Sequence, residues 1–94
     1  MKLCDLDNSC EYVIVTFDMT DGGSDYSSIE SEFEKAGLKK SLDGKDAPHN
    51  TFIYKGNSYD INDVIESVKS VIGQYAKVSR LLIAHSKEID ITEK

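Results

Sequence analysis

The chain has 94 residues, 39% of them apolar, and a formal net charge of −6 from 17 acidic and 11 basic side chains. That length suffices for one domain and is too short for two, and the apolar share is too high for a disordered chain. The acidic balance and the single arginine, Arg80, exclude a non-specific nucleic-acid coat, which needs basic charge to neutralise phosphates.

Residues 1–10 are polar and read as a flexible lead-in, leaving residues 11–94 as one domain. Cys4 and Cys10 have no second cysteine pair and no neighbouring histidine, so no zinc site is expected. A disulfide between them is one reading; two idle thiols in a reducing compartment is the commoner one. No apolar run approaches the ~20 residues of a membrane span, and the first residues do not resemble a leader. The expectation is a cytoplasmic protein with no membrane contact.

Tyr12-Val-Ile-Val-Thr-Phe17 is rich in β-formers and alternates. Val13, Val15 and Phe17 form a core face. Tyr12, Ile14 and Thr16 form a second face too apolar to be fully wet, which suggests a partly covered central strand. Asp18 ends this strand, and Thr20 to Ser24 reads as a loop. A helix follows, with Ser24 or Asp25 as its cap and Tyr26, Ile29, Phe33 and Ala36 as its apolar stripe. Gly37 supplies the left-handed residue that ends it, and Leu38 can fold back over the last turn.

Residues 38–42 read as a modest second strand, residues 43–50 as a polar loop, and Thr51–Tyr54 as a third strand. Asp60 is a good cap for a second helix, along which Ile61, Val64, Ile65, Val68, Ile72 and Tyr75 recur at helical spacing. Arg80–Ala84 is the fourth strand. Lys87–Thr92 alternates polar and apolar residues, and is either a frayed end or a short added strand. The order is β-α-β-β-α-β, an α+β domain with a four-stranded antiparallel sheet backed by two helices on one face. The open face, bearing Tyr12 and Ile14, suits a homodimer contact.

For chemistry, Gly22-Gly23 lacks the lysine and spacing of a phosphate loop, and no Ser-His-Asp or Cys-His arrangement is present. Asp18, with Asp21 and Asp25 close behind, can hold a hard cation such as Mg²⁺ through one or two carboxylates and several waters. The alternative is that Asp18 closes the loop and Asp25 caps the helix. His49 and His85 are the only imidazoles and can each transfer protons near neutral pH; the plainer reading makes both solvated bystanders. Ser27 and Ser28 can bind a phosphate at a helix N-terminus or simply help to cap it.

The segment Tyr12-Val-Ile-Val-Thr-Phe-Asp18-Met19, followed by a polar loop and an amphipathic helix, resembles the start of the small CRISPR adaptation subunit and virulence-associated protein D families. Phe17-Asp18 followed by Asp25-Tyr26-Ser27-Ser28 also resembles the GhoS antitoxin endoribonuclease. The resemblance covers residues 11–85 in pattern and only the beginning of that span in motif. It implies a ferredoxin-like homodimer in which the strand-end aspartates, Asp18 here, hold Mg²⁺ across the dimer axis. Ile89-Asp90-Ile91 would then extend the partner's sheet. The basic residues such nucleases often carry beside the site are missing here. The implied function is a metal-dependent endoribonuclease of a toxin–antitoxin or mobile-element setting. Asp18 would be the metal ligand, Ser27, Ser28 or His49 would lie near the phosphate of a single-stranded RNA, and metal-activated water would attack the phosphodiester. The rival reading is a non-enzymatic acidic dimer that occupies a basic surface on a nucleic-acid-handling protein.

Overall fold

The computed structural model describes residues 4, 6, 9–20, 25–75 and 77–92. Its centre is β1 (Glu11–Met19), which pairs antiparallel with β4 (Thr51–Gly56) on one side and β5 (Val78–Ser86) on the other. Helices α1 (Tyr26–Lys35) and α2 (Ile61–Gly73) complete an α+β domain. The alternation read along β1 is realised. Val13, Val15 and Phe17 are fully buried, opposite Tyr54 and Phe52 of β4 and opposite Ile83 and Leu81 of β5. Directly paired residues share a face, so these side chains form one apolar floor. Ile29 and Phe33 of α1 and Ile61, Val64, Val68 and Val71 of α2 close over it. Val71, absent from the sequence stripe, is part of this core; Ile65, Ile72 and Tyr75 pack at its margin.

The end of α1 follows the sequence reading closely. Gly37 adopts φ +95°, the Leu38 amide donates to the Phe33 carbonyl, and the Gly37 amide donates to Glu34. These two bonds satisfy carbonyls that the helix end would leave orphaned, and Leu38 is buried against the core as a result. The caps differ from expectation. Asp25 and Asp60 occupy the N-cap positions of α1 and α2, but neither side chain caps a backbone amide. A 3₁₀ turn, Ser58–Asp60, leads into α2, and the Asp60 carboxylate instead accepts weakly from the Asn57 amide. Ser24, the other expected cap, lies outside the described residues, as do Asp21, Gly22 and Gly23.

Among the described residues the main sheet has three strands. Where a strand was expected over 38–42, Lys39 alone bridges Ile53, exchanging two backbone bonds of 2.8 and 2.7 Å. The chain then turns on itself: β2 (Ser41–Leu42) pairs with β3 (Lys45–Asp46). Asp43 and Gly44 between them both have positive φ, 52° and 82°. That is a two-residue turn of the Asp-Gly type, whose twist matches a hairpin, so residues 40 onward fold locally instead of continuing along β4. Residues 87–92 form no strand. Helix α2 is too short and too polar to cross a membrane, and no described helix does better.

Cys4 and Cys10, expected to be idle thiols, are joined in a disulfide. Both are buried, and the Cys4 amide donates to Asn57 Oδ1 at 2.9 Å, tying this corner of the N-terminal segment to the chain between β4 and α2.

Candidate functional site

The pairing of β1 with β5 is regular until Asp18, which lies opposite Arg80. The next residue, Met19, lies opposite Val78, so Ser79 is one residue too many on β5. Such a bulge bends its strand and increases the local twist. The Ser79 hydroxyl donates to the Asp18 carbonyl at 3.3 Å, and beyond the bulge Thr20 donates both its amide and its hydroxyl to the Lys77 carbonyl. The end of the two strands is thereby pinned while the sheet opens at its rim.

Across from this rim, Pro48 to Thr51 forms a turn closed by the Thr51 amide on the Pro48 carbonyl at 3.1 Å. Asn50 sits in it with φ 61°, a left-handed conformation that asparagine tolerates better than most residues. The turn places His49 at its corner, exposed. Between turn and rim is a cleft of about 770 Å³, lined by Asp18, Ser79 and Arg80 on the sheet side and by Tyr26, His49 and Asn50 opposite. Two of the sequence candidates, Asp18 and His49, therefore share one cavity with the single arginine. Arg80 and Asp18 lie side by side across the strands on one face, yet no ion pair joins them among the described residues, which leaves a guanidinium and a carboxylate available to a ligand. Arg80 was noted in the sequence only as a count and as the start of the fourth strand; its place just before the core-facing Leu81 and Ile83 gave no sign of a site.

The wall of the cleft is aromatic. Phe52 stacks on Phe17 (centroids 6.0 Å apart, planes within 16°), Phe17 on Tyr26 (5.8 Å, 27°), and Tyr26 on His49 (6.3 Å, 16°). The Lys40 ammonium lies 5.1 Å from the Tyr26 ring centroid and 2.9 Å from Glu30. Its pKa is held above the ordinary lysine value by the Tyr26 hydroxyl first and the Glu30 carboxylate second. The Tyr26 hydroxyl itself is buried and makes no aligned hydrogen bond, as expected when the cation sits over the ring face and not in its plane.

The other expected site residues fall elsewhere. Ser27 and Ser28 are exposed on the first turn of α1 and do not line the cleft; Asp25 does not line it either. His85 is engaged with Glu11 at 2.6 Å, five residues along β5 from Arg80, roughly 17 Å at strand spacing. No three His, Cys, Asp or Glu side chains converge among the described residues. Among the described residues that line the cleft, Asp18 is the one carboxylate, with the His49 ring and the Asn50 amide as further donors. Magnesium is often held by one or two carboxylates with water and substrate phosphate filling the rest, so this set fits the ion only jointly with a phosphate.

No family model matches the chain, and neither a curated protein nor a solved structure does.

Proposed function

We propose that the cleft binds a phosphodiester of single-stranded RNA and cleaves it. The observation that carries this reading is the meeting of Asp18, His49 and Arg80 from three separate parts of the chain on one cavity. A guanidinium offers a planar fork of donors that matches phosphate oxygens. Arg80 holds the phosphate and offsets the charge that develops on it. Asp18 accepts the proton of the attacking hydroxyl, and the His49 imidazole, which can carry a proton on a ring nitrogen, returns one to the leaving oxygen. Mg²⁺ at Asp18 belongs to the same proposal; when bound it would supply further charge stabilisation at the phosphate. A ferredoxin-like assignment is supported by the antiparallel order β4-β1-β5 with Lys39 bridging on the outside of β4. A cytoplasmic location is part of this reading because RNA substrates are there. The Cys4–Cys10 disulfide stands against it, since cytosolic thiols are kept reduced.

The test is cleavage of end-labelled single-stranded RNA by purified protein, with and without Mg²⁺. Asp18→Asn is expected to abolish cleavage while leaving RNA bound, His49→Ala to abolish cleavage, and Arg80→Ala to weaken binding at least tenfold, about 1.4 kcal/mol. Equal faint cleavage by all four preparations would mean contamination and would overturn the reading.

A second reading is favoured by the net charge of −6 and by Leu82, 65% exposed on the sheet face away from the helices. There the chain is a non-enzymatic module, a homodimer through that face or a ligand for a basic protein surface. Sedimentation as a monomer at tens of micromolar would remove the homodimer.

A further inference from the structure

The four rings described above run from the core to the cleft: Phe52, Phe17 and Tyr26 all meet one another, Tyr26 and Phe52 at 6.4 Å with a 42° tilt, and His49 stacks on Tyr26 at the outer end. Phe52 and Phe17 are fully buried, Tyr26 is half-buried, and His49 is exposed. The outermost contact, His49 on Tyr26, is near-parallel at 16°, and the imidazole meets no further described ring. One face of the imidazole is turned toward Tyr26; the rest of the ring borders the cavity that Arg80 and Asp18 line from the other side.

We infer that the exposed face of His49 is a stacking platform for an unpaired nucleobase, so that the cleft takes a nucleotide as a unit, base on His49 and phosphate on Arg80. This deepens the RNA reading and rests on its placement of the phosphate. The physical case has three parts. Offset stacking of near-parallel rings is favourable, and every nucleobase offers a π-face, so an added base can lie on the imidazole, as the imidazole lies on Tyr26, without needing a specific edge. The platform is held from beneath: Tyr26 and the two phenylalanines are packed into the core, and the turn from Pro48 to Thr51 fixes where the imidazole sits, so little ordering remains to be done on binding. The cavity, about 770 Å³, lies within the range of pockets that enclose small ligands. A base inside a duplex has both faces covered by its neighbours, so the platform selects single strands, free nucleotides or extruded bases. Asn50, beside His49 on the same wall, supplies an amide within the cavity for the base edge.

The ring faces and the ring nitrogens of His49 are separable functions, and this gives the test. Binding of adenosine monophosphate and of ribose phosphate, which lacks the base, is measured by calorimetry for the native chain, His49→Ala, His49→Phe and Arg80→Ala. All four are first checked for the same folded spectrum and melting behaviour. Expected is an affinity for adenosine monophosphate at least about tenfold above that for ribose phosphate. That advantage should vanish in His49→Ala and persist in His49→Phe, which keeps a flat ring but has no proton to transfer. His49→Phe should also bind single-stranded RNA normally while failing to cleave it. If ribose phosphate binds as well as the nucleotide, and Arg80→Ala weakens both alike, the platform is refuted while the phosphate site stands. If the base advantage survives in His49→Ala, the base lies elsewhere and the inference fails. If neither small ligand nor RNA binds the native chain, both the platform and the RNA reading fall together.

Discussion

Reduction of the Cys4–Cys10 disulfide should lower the stability of the whole domain, and the structure sets the size of the effect. A sequence separation of 6 closes a loop of seven residues, counting 4 to 10 inclusive. Loop closure of that length removes about 8 cal/mol/K from the unfolded chain, or about 2.4 kcal/mol at room temperature. The local nature of the loop makes this the lower part of the usual range. A second contribution comes from the native side. The Cys4 amide donates to Asn57 Oδ1 across 53 positions of sequence, and both cysteines are buried. If the freed segment lifts away, that bond is lost at a cost of about 1 kcal/mol. Together the two terms are near 3 kcal/mol, a large part of the stability of a domain this small. At 4–8 °C per kcal/mol the melting temperature should fall by roughly 12–24 °C. The assay is thermal and urea unfolding followed by circular dichroism, for the oxidised chain, the reduced chain, and Cys4→Ala/Cys10→Ala. Reduced and double-variant proteins should melt together, well below the oxidised form. The reasoning fails if reduction moves neither the melting temperature nor the urea midpoint.

Two further outcomes follow from Tyr54, which packs against the core and lies over Gly56. A methyl group added at Gly56 would meet Tyr54 Cε2 and Cζ at 2.6 Å, so Gly56→Ala should cost about 1–3 kcal/mol in urea unfolding, much of it recovered when Tyr54→Ala is added; additive effects would contradict the clash. The Tyr54 phenol is held above its ordinary pKa of 10.0 by burial first and by the charges of Asp60 and Tyr59 next. Because the folded form keeps its proton longer than the unfolded chain, its contribution is fully present below pH 10.0 and is lost as pH climbs beyond that value; Tyr54→Phe should show a shallower fall in alkaline stability titrations, and an unchanged slope would refute the assignment.

How much of this could be read from the residues varies by element, and the reasons are physical. The β1 alternation and the two helix stripes were legible because each reports a face repeated many times over: three buried positions in Val13, Val15 and Phe17, and a run of contacts along α2 from Ile61 onward. Gly37 was legible because one residue type does that task. The stretch after Leu38 was misjudged because its β-propensity is weak and the decisive signal, Asp43-Gly44, is a local turn rule that outweighs it. The disulfide was set aside on compartment arguments, which carry no information about whether the two sulfurs meet. Asp18 and His49 were picked out singly, by chemistry. Their common cavity depends on a bulge and a turn, and Arg80 joins them only through the register of β5, which no periodicity within one strand discloses.

The extra residue at Ser79 has an architectural consequence. On one side of it Arg80 faces Asp18 and Leu81 faces Phe17; on the other Val78 faces Met19. These are the pairings of an uninterrupted ladder with a single residue looped out. The odd-even bookkeeping that assigns β5 side chains to the core is therefore complete without Ser79, and the length of chain at the rim is a free variable. A lineage could lengthen or shorten this lip by one residue and reshape what the cavity admits, with no hydrophobic side chain changing sides. The molecule separates the part of its grammar that must be kept in order to fold from the part that can be rewritten.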